Sequence, residues 1–421
     1  MKMHAFGPLA PKEVAERRLL ERATPIVRVE RVDVAAAFGR VAAVTVRAPR
    51  PVPGFARTTW DGYAIRSEDT VGASRRAPAS LRLVGEVFAE ESFPGRVGRG
   101  DAVAIATGGA IPPGADAVVM FEEVEREPRR IRVFRTIPSG DRISAPGHDF
   151  PRGAVLARKG EELRATTLGA IAACGVARVP VYARPIVAIM PNGNELLSPG
   201  AGARTGKIYE SNNAALASVV LAAGGIPRPY PPVRDDPDVI ESALRRALKG
   251  ADLVLSTGGS SVGERDLLPR VLRRFGPLLF HGLAVRPGKP TLAVASGGKL
   301  VIGMPGHPTS CLVNMYWLVL PVLRKIARRP GPGWTESEGV LGSDAVAPSA
   351  GLATVVPLTL RDGRWFSTFR SSSTITSLAG ATAFTVLPAG RRVLRAGQRI
   401  PLFELDPPLG RGGATVGRDN G

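Results

Sequence analysis

The stretch LVLSTGGSSVGERDLLPRVLRRF, residues 253–275, decides the fold class. Residues 253–256 are a short apolar run of the kind that forms a buried strand, and residues 266–275 predict a helix. The hydroxyl and glycine residues between them predict a loop at the carboxyl end of the strand. A strand, a loop and a helix in this order are the building unit of an α/β domain with a parallel sheet.

The same alternation continues over the middle of the chain. Further strands are predicted at residues 186–190, 291–295 and 300–302, and further helices at residues 212–223, 237–248 and 307–329. This order predicts a parallel sheet with helices on both faces.

The flanking segments have a different character. Residues 11–22 predict a helix, whereas short strand-like runs separated by Gly and Pro fill residues 55–150 and return after a Pro-Gly linker at residues 330–333. We therefore predict a multidomain α/β plus β protein. Its segments are an N-terminal helix packing on the α/β domain (1–24), a small connector domain (25–52 and 151–183), a β-rich domain (53–150), the α/β domain (184–330), a C-terminal β-barrel-like domain (331–408) and a disordered tail (409–421).

The composition restricts the class of protein. A chain of 421 residues, 44% of them hydrophobic, can bury several cores. No run of 18 apolar residues occurs, so we expect no membrane-spanning helix, and we find no pattern of a secretory signal. Cys174 and Cys311 lie far apart and form no CxxC motif. This argues against a zinc site or a disulfide framework and favours a reducing cytoplasm.

The formal net charge of +19 suggests either a nucleic-acid binder or a protein with anionic substrates. The basic residues are mostly scattered arginines, and aromatic residues make up only 5% of the chain. Base stacking requires aromatic side chains. The composition therefore disfavours nucleic acid as a partner and fits anionic small molecules.

Four polar or glycine-rich loops fall at strand ends of the α/β segment, at residues 191–195, 256–263, 286–290 and 303–310. Ligands of open parallel sheets bind outside the carboxyl ends of strands, and glycine-rich loops at helix N-termini suit oxyanions. The alternative is that these loops are ordinary turns, with Asp266 as a helix cap. We favour an anion site. Its predicted binding residues are Ser256, Gly258, Gly259, Ser261, Gly263, Arg286, Lys289, Pro305, Gly306 and Ser310.

Acidic residues beside these loops are candidates for binding a divalent cation. Before Pro237, one of two adjacent aspartates is expected to cap the following helix, and it stays open whether the other binds a metal. His307 has no other histidine near it in sequence and is interpreted as a hydrogen-bonding residue. The predicted metal ligands are Asp235, Asp236 and Asp266.

The ordered series of motifs resembles the molybdopterin molybdenumtransferase family, which includes MoeA and the E domain of gephyrin. The resemblance covers about residues 12–405. It rests on the motifs Pro53-Gly54-Phe55, Asp61-Gly62-Tyr63-Ala64, Thr107-Gly108, residues 114–119, Gly193 with Glu195-Leu196, residues 234–237, Gly258-Gly259 with residues 261–264 and Asp266, residues 287–290, and Pro305-Gly306 with Pro308.

The resemblance implies a reaction in which adenylylated molybdopterin and molybdate give molybdenum cofactor and AMP, with Mg²⁺ as the divalent cation. It also implies an elongated four-part subunit, a homodimer whose active site lies between the β-rich segment of one subunit and the α/β domain of the other, and an upstream molybdopterin adenylyltransferase as partner. Carried over residue by residue, the catalytic positions are Asp61, Thr107, Asp149, Glu195 and Asp266, together with Asp235 or Asp236 and the basic pair Arg286 and Lys289.

The chain departs from the family pattern at four places. Residues 191–195 read PNGNE in place of STGDE, His307 replaces an asparagine, His148 replaces a glutamate, and residues 371–374 keep part of a Gly-Ser-rich stretch. These departures leave two alternatives open. One is a non-catalytic pterin-binding or scaffold member, and the other is a tungstate-selective paralogue.

Overall fold

The computed structural model describes residues 8–259, 267–347, 350–371, 373–377 and 380–404. The chain divides into two compact units, Arg31–Val181 and a larger unit made of Met1–Glu30 and Tyr182–Gly421. Within the described ranges, no helix is both long and apolar enough to cross a membrane. The prediction of a mixed α/β protein with several sheets is confirmed.

Helix α1 (Lys12–Arg22) belongs to the larger unit. Its buried residues Ala15 and Leu19 share a core with Val187 and Leu323 of that unit. Apolar residues four positions apart lie on one face of a helix, which explains why this face is buried.

The smaller unit is built mainly from short strands. The strands that enter or form it are β1 (Val29–Asp33), β2 (Val46–Arg47), β3 (Arg57–Thr58), β4 (Gly62–Ile65), β5 (Ala79–Val87), β6 (Asp101–Ile105), β7 (Ala117–Met120), β8 (Val124–Glu127), β9 (Arg130–Val133), β10 (Ile143–Ser144), β11 (Val155–Ala157) and β12 (Arg178–Tyr182), with helix α2 (Ala165–Ala173) before β12.

Six of these strands form one sheet in the order β7-β4-β6-β5-β9-β8. β5 and β6 run parallel, and the other neighbours run antiparallel. Successive side chains of a strand point to opposite faces, so Tyr63 and Ile65 of β4 enter one core while Ala64 enters another. A separate core gathers residues of α2, β11 and β12, among them Ile171 and Val181.

The larger unit contains the remaining elements. Its strands are β13 (Ile186–Pro191), β14 (Leu196–Leu197), β15 (Ile208–Tyr209), β16 (Ile226–Pro229), β17 (Leu253–Thr257), β18 (Leu278–His281), β19 (Val285–Arg286), β20 (Leu292–Ser296), β21 (Lys299–Met304), β22 (Glu336–Val340), β23 (Ala345–Val346), β24 (Ala353–Arg361), β25 (Arg364–Ser367), β26 (Ala383–Leu387), β27 (Val393–Leu394) and β28 (Arg399–Glu404). Its further helices are α3 (Asn212–Ala222), α4 (Pro237–Gly250), α5 (Leu267–Leu272), α6 (Pro308–Asn314) and α7 (Leu320–Ile326).

The central sheet has the order β16-β13-β17-β21-β20-β18. The first four strands are parallel, but β20 and β18 run antiparallel to their neighbours. The prediction of a parallel sheet therefore holds for four strands and fails where β20 pairs with β21 and β18. The cause is the two-residue connection Gly297-Gly298, where both residues have positive φ, because such a turn closes a hairpin and a parallel pair needs a long crossover.

Helices cover both faces of this sheet. Residues of α1, α3, α6 and α7 share a core with one face, and residues of α4 and α5 share a core with the other. The single closing helix predicted at residues 307–329 is interrupted by a π-helical segment, Met315–Val319, between α6 and α7. Pro321 follows this segment and has no backbone N–H to donate, which explains the local shift in hydrogen bonding.

The C-terminal strands form a second sheet in the order β19-β24-β26-β28-β22, with β25 paired to β24. A bridge between Leu341 and Trp365 joins the chain after β22 to β25, so the strands curve into a ring. Phe384 of β26 contacts Trp317 of the π-helical segment edge to face, with centroids 6.5 Å apart. β19 also belongs to this sheet, and its Arg286 pairs with Thr354.

Candidate functional site

A cavity of about 1350 Å³ lies at the carboxyl ends of β13, β17 and β21. These three strands are parallel, so their ends meet at one edge of the sheet, where ligands of such sheets bind. The residues that line the cavity are Asn192, Asn194, Glu195, Leu196, Ile208, Tyr209, Glu210, Ser211, Asn212, Asp235, Thr257, Gly258, Gly259, Leu267, Val285, Arg286, Pro287, Gly288, Lys289, Pro290, Pro305, Gly306, His307, Pro308, Ser310, Phe369, Arg370, Ser371 and Ser373.

The floor of the cavity is held by Asn192. Its Nδ2 donates to Ser256 Oγ at 2.7 Å and to Thr257 O at 3.1 Å, and its buried Oδ1 has no hydrogen-bond partner within the described residues. Ser256 was predicted to bind ligand, but it is fully buried and is not among the lining residues. Its hydroxyl accepts from Asn192 instead and positions the floor, and its contact with a ligand stays a prediction.

Gly258 closes the floor from the next strand. Its φ is +83°, and a Cβ on this residue would lie 2.3 Å from the carbonyl oxygen of Asn192. Only glycine fits such a close approach of two backbones in this conformation. The absence of side chains at Gly258, Gly259 and Gly306 leaves backbone facing the cavity.

The two adjacent aspartates before α4 have different roles. Asp236 accepts hydrogen bonds from the N–H groups of Asp238 and Val239, both at 3.0 Å, so it is the helix cap. It does not line the cavity, and its role as a metal ligand stays a prediction. Asp235 does line the cavity and accepts from the Asn194 N–H at 3.2 Å.

Glu195 also lines the cavity. Its carboxylate lies against Gly193, where an added Cβ would come within 2.7 Å of both carboxylate oxygens. The Glu195 side chain can fold back this closely over its own loop because Gly193 carries no side chain.

The basic loop is anchored from behind by α6. Asn314 Nδ2 donates to Gly288 O at 2.8 Å and to Thr291 Oγ1 at 2.6 Å. Arg286 and Lys289 both line the cavity. Two cations on one fixed loop can bind a dianion.

The loop before α6 brings further predicted residues to the cavity. Pro305, Gly306, His307 and Ser310 line it, and His307 is the N-cap residue of α6 without a side-chain capping bond. Thr309, in the same motif, is fully buried and donates instead to Thr374 O at 2.9 Å. Thr309 does not line the cavity.

Several lining residues were not predicted as binding residues. Glu210 is buried, and burial raises the pKa of its carboxyl while the N–H of Asn213, at 3.0 Å, partly offsets this. Phe369 and Arg370 come from the C-terminal β segment. Glu210 could have been found from the sequence, because it is an acidic residue two positions before a predicted helix. No sequence pattern near Phe369 and Arg370 indicates that they reach the cavity.

Three predicted catalytic residues belong to the smaller unit. Thr107 donates to Asp61 Oδ1 through its N–H at 2.7 Å and its hydroxyl at 2.8 Å, and these two bonds lower the pKa of the Asp61 carboxyl. Asp149 lies 3.5 Å from Arg57 as an ion pair. Asp61 and Thr107 are thus brought together by the fold, and Asp149 has a different partner.

The remaining predicted residues Ser261, Gly263 and Asp266, with Glu264, lie outside the described residues. Among those that are described, no group of three or more His, Cys, Asp or Glu side chains is arranged to hold a metal ion. Among the described residues, three acidic side chains line the cavity, namely Glu195, Asp235 and the buried Glu210.

Two family models match the chain. Residues 11–175 match the MoeA N-terminal region (domain I and II), and residues 188–325 match a "Probable molybdopterin binding domain".

Relatives named molybdopterin molybdenumtransferase include one from Bacillus subtilis, 33% identical over 86% of this chain and 87% of the relative, and one from Nostoc, 31% identical over 89% of this chain and 88% of the relative. The structure of a molybdopterin biosynthesis MoeA protein from Pyrococcus horikoshii superimposes with a TM-score of 0.83 at 32% identity, covering 95% of this chain and 100% of the other. The chain belongs to the molybdopterin molybdenumtransferase family.

Proposed function

We propose that this protein is an enzyme that inserts molybdate into adenylylated molybdopterin, releasing AMP and forming the molybdenum cofactor. The observation that carries the proposal is the cavity at the strand ends, which combines the cations Arg286 and Lys289 with the carboxylates Glu195 and Asp235. The cations suit an oxyanion and a phosphate group, and the carboxylates can hold the divalent cation that cleavage of the phosphate bond uses.

The size of the cavity supports a large substrate. Its volume of about 1350 Å³ exceeds the roughly 300–1,000 Å³ of ordinary small-molecule pockets. A pterin joined to a nucleotide needs such space, and the glycine-lined floor lets a flat ring approach the backbone. The side-chain oxygen Oδ1 of Asn192 is buried at this floor and has no hydrogen-bond donor among the described residues.

The basic loop is the proposed anion-binding element. Molybdate is a tetrahedral dianion, and charge-assisted hydrogen bonds from guanidinium and ammonium groups are the strongest contacts for such ions. Arg286 and Lys289 face the cavity from a loop that Asn314 holds in place. Ser310 and the backbone after Pro305 add polar groups at the same edge.

We propose Glu195 and Asp235 as the side chains that would hold Mg²⁺. Their carboxylate oxygens are the hard donors that Mg²⁺ takes, usually one or two from protein with water and substrate phosphate completing the shell, so the residues present fit the ion. When bound, Mg²⁺ neutralises charge that develops on the phosphate oxygens as AMP leaves. We assign Asp266 to the same set from the family pattern. Asp235 is oriented by the Asn194 N–H.

Asp61, Thr107 and Asp149 are proposed to complete the site in a homodimer, in which the β-rich domain of one subunit, about residues 53–150, meets the α/β domain, about residues 184–330, of the other. What supports this is the family pattern and the pairing of Asp61 with Thr107 on an exposed loop. The substrate would be supplied in the cytoplasm by a molybdopterin adenylyltransferase.

The proposal is tested by AMP release. Purified protein is expected to release AMP from adenylylated molybdopterin when molybdate and Mg²⁺ are both present. Lys289→Ala is expected to lower kcat/KM for molybdate at least roughly tenfold, the loss of one charge-assisted contact, while Lys159→Ala, an exposed lysine of the smaller unit, serves as the matched control. Molybdate-independent AMP release, or none, would contradict the proposal and favour a binding or scaffold role.

A further inference from the structure

One wall of the cavity comes from a loop of the C-terminal β segment. Phe369, Arg370, Ser371 and Ser373 line the cavity from this loop, which connects β25 to β26. The wall is far in sequence from the strand ends that form the floor, so its position depends on hydrogen bonds to other segments. These hydrogen bonds determine where the four side chains lie relative to a bound ligand.

Ser377 organises the loop from within. It is fully buried, and its Oγ accepts from the N–H groups of Arg370 at 3.0 Å and Ser371 at 3.2 Å. The same hydroxyl donates to Ser371 O at 2.9 Å, and Thr368 Oγ1 donates to Ser377 O at 2.7 Å. One hydroxyl thus satisfies the backbone of the two residues whose side chains face the cavity.

Thr309 ties the loop to the α/β domain. It lies in the first turn of α6, it is fully buried, and its Oγ1 donates to Thr374 O at 2.9 Å. Its neighbours His307 and Ser310 line the cavity. The Thr309 hydroxyl therefore connects the start of α6 to the loop between β25 and β26, and residues of both elements line the cavity.

We propose that Thr309 and Ser377 are positioning residues that hold the wall formed by Phe369, Arg370, Ser371 and Ser373 against the cavity, a role that rests on the proposed function. Neither side chain lines the cavity, so each acts through the wall. Buried hydroxyls are retained where they satisfy specific partners, because an unsatisfied polar group would destabilise the fold. The effect of losing either hydroxyl falls on ligand affinity rather than on the chemical step.

The test is a series of threonine variants titrated with molybdate alone by calorimetry. Thr309→Val removes the hydroxyl at nearly constant shape, and Thr309→Ser keeps it. Thr385→Val is the matched control, because Thr385 is a fully buried threonine of β26 whose hydroxyl has no hydrogen-bond partner within the described residues. Ser377→Ala removes the acceptor inside the loop.

Thr309→Val and Ser377→Ala are expected to weaken molybdate binding by roughly three- to tenfold, the loss of about one neutral hydrogen bond. Thr309→Ser is expected to bind as the wild type does, and Thr385→Val likewise. In turnover the two weakened variants should raise KM for molybdate and leave kcat unchanged. Wild-type affinity in Thr309→Val, or equal weakening in Thr309→Ser or Thr385→Val, would overturn the proposal.

Hydrogen exchange at the amides of Arg370 and Ser371 separates this inference from the proposed function. Both amides donate to Ser377, so Thr309→Val should speed their exchange and Thr309→Ser should not. If the wild type releases no AMP or binds no molybdate, the proposed function fails, yet the exchange comparison still decides the inference. Unchanged exchange in Thr309→Val means that Thr309 does not hold the wall.

Discussion

Position 258 illustrates how a single residue shapes the floor of the cavity. A glycine-rich loop after a strand was predicted from sequence to approach a ligand. The structure shows a second reason for glycine, since a Cβ at residue 258 would meet the carbonyl oxygen of Asn192 at 2.3 Å. The neighbouring Asn192 was not predicted as a site residue, because its importance depends on a bond to Ser256, 64 positions away.

We expect Gly258→Ala to destabilise the protein by about 1–3 kcal/mol, because the new methyl group forces two backbones apart at a positive φ. Gly200→Ala is the matched control. Gly200 also has a positive φ, of 88°, but an added Cβ there would have nothing within 4 Å. Urea unfolding of the two variants measures the difference, and equal losses of stability would show that the contact with Asn192 is unimportant.

At the scale of elements, periodicity predicted the strand and helix types of the α/β domain, while connections decided their direction. The Gly297-Gly298 turn is visible in the sequence, and it reverses β21 relative to β20. The π-helical segment before Pro321 was not predicted, because the apolar pattern of a π segment resembles that of an α-helix over one turn. Strand direction therefore depended on two glycines, and helix continuity on one proline.

The start of β17 provides an element-scale prediction about pH. Burial opposes ionisation of Asp252, but hydrogen bonds from Arg28, both at 2.8 Å, and from the Ile186 N–H outweigh it and lower the pKa of the carboxyl. A lowered folded-state pKa stabilises the protein above the unfolded value of about 3.9, and this stability is lost as the pH falls through the folded-state pKa.

Asp252→Asn should therefore lower the free energy of unfolding at pH 7 by about 1 kcal/mol, a modest figure because Arg28 is half exposed. The difference from the wild type should shrink as the pH falls below about 4. Urea unfolding at pH 7 and at pH 3 measures it. A difference that stays constant over this range would show that ionisation of Asp252 is not the source of its contribution.

At the scale of the whole molecule, the ordered motifs predicted the family, which the comparisons confirm. They also predicted much of the strand-end cavity, including Glu195, Arg286 and Lys289. The wall formed by Phe369, Arg370, Ser371 and Ser373 could not be predicted, because it depends on packing between segments about 60 to 180 positions apart. The assignments of Asp61, Thr107, Asp149 and Asp266 to one active site stay predictions.

Subunit mixing tests the composite site. If Asp61 serves the cavity of a partner subunit, Asp61→Asn and Lys289→Ala proteins should each be poorly active. A mixed dimer should regain up to half of the wild-type activity per dimer, because one of its two sites is intact. Sedimentation shows whether the protein is a dimer, and a different affinity tag on each variant isolates the mixed dimers. A monomeric protein, or mixed dimers without recovered activity, would contradict the shared site.

The most direct test of the central claim is the molybdenum content of the pterin product. After turnover of adenylylated molybdopterin with molybdate and Mg²⁺, the pterin is separated, and its molybdenum is measured by mass spectrometry beside the AMP released. If the cavity couples cleavage to insertion, one molybdenum atom should be found in the pterin for each AMP. AMP released without molybdenum in the pterin would contradict the account and show a hydrolase in place of a molybdenumtransferase.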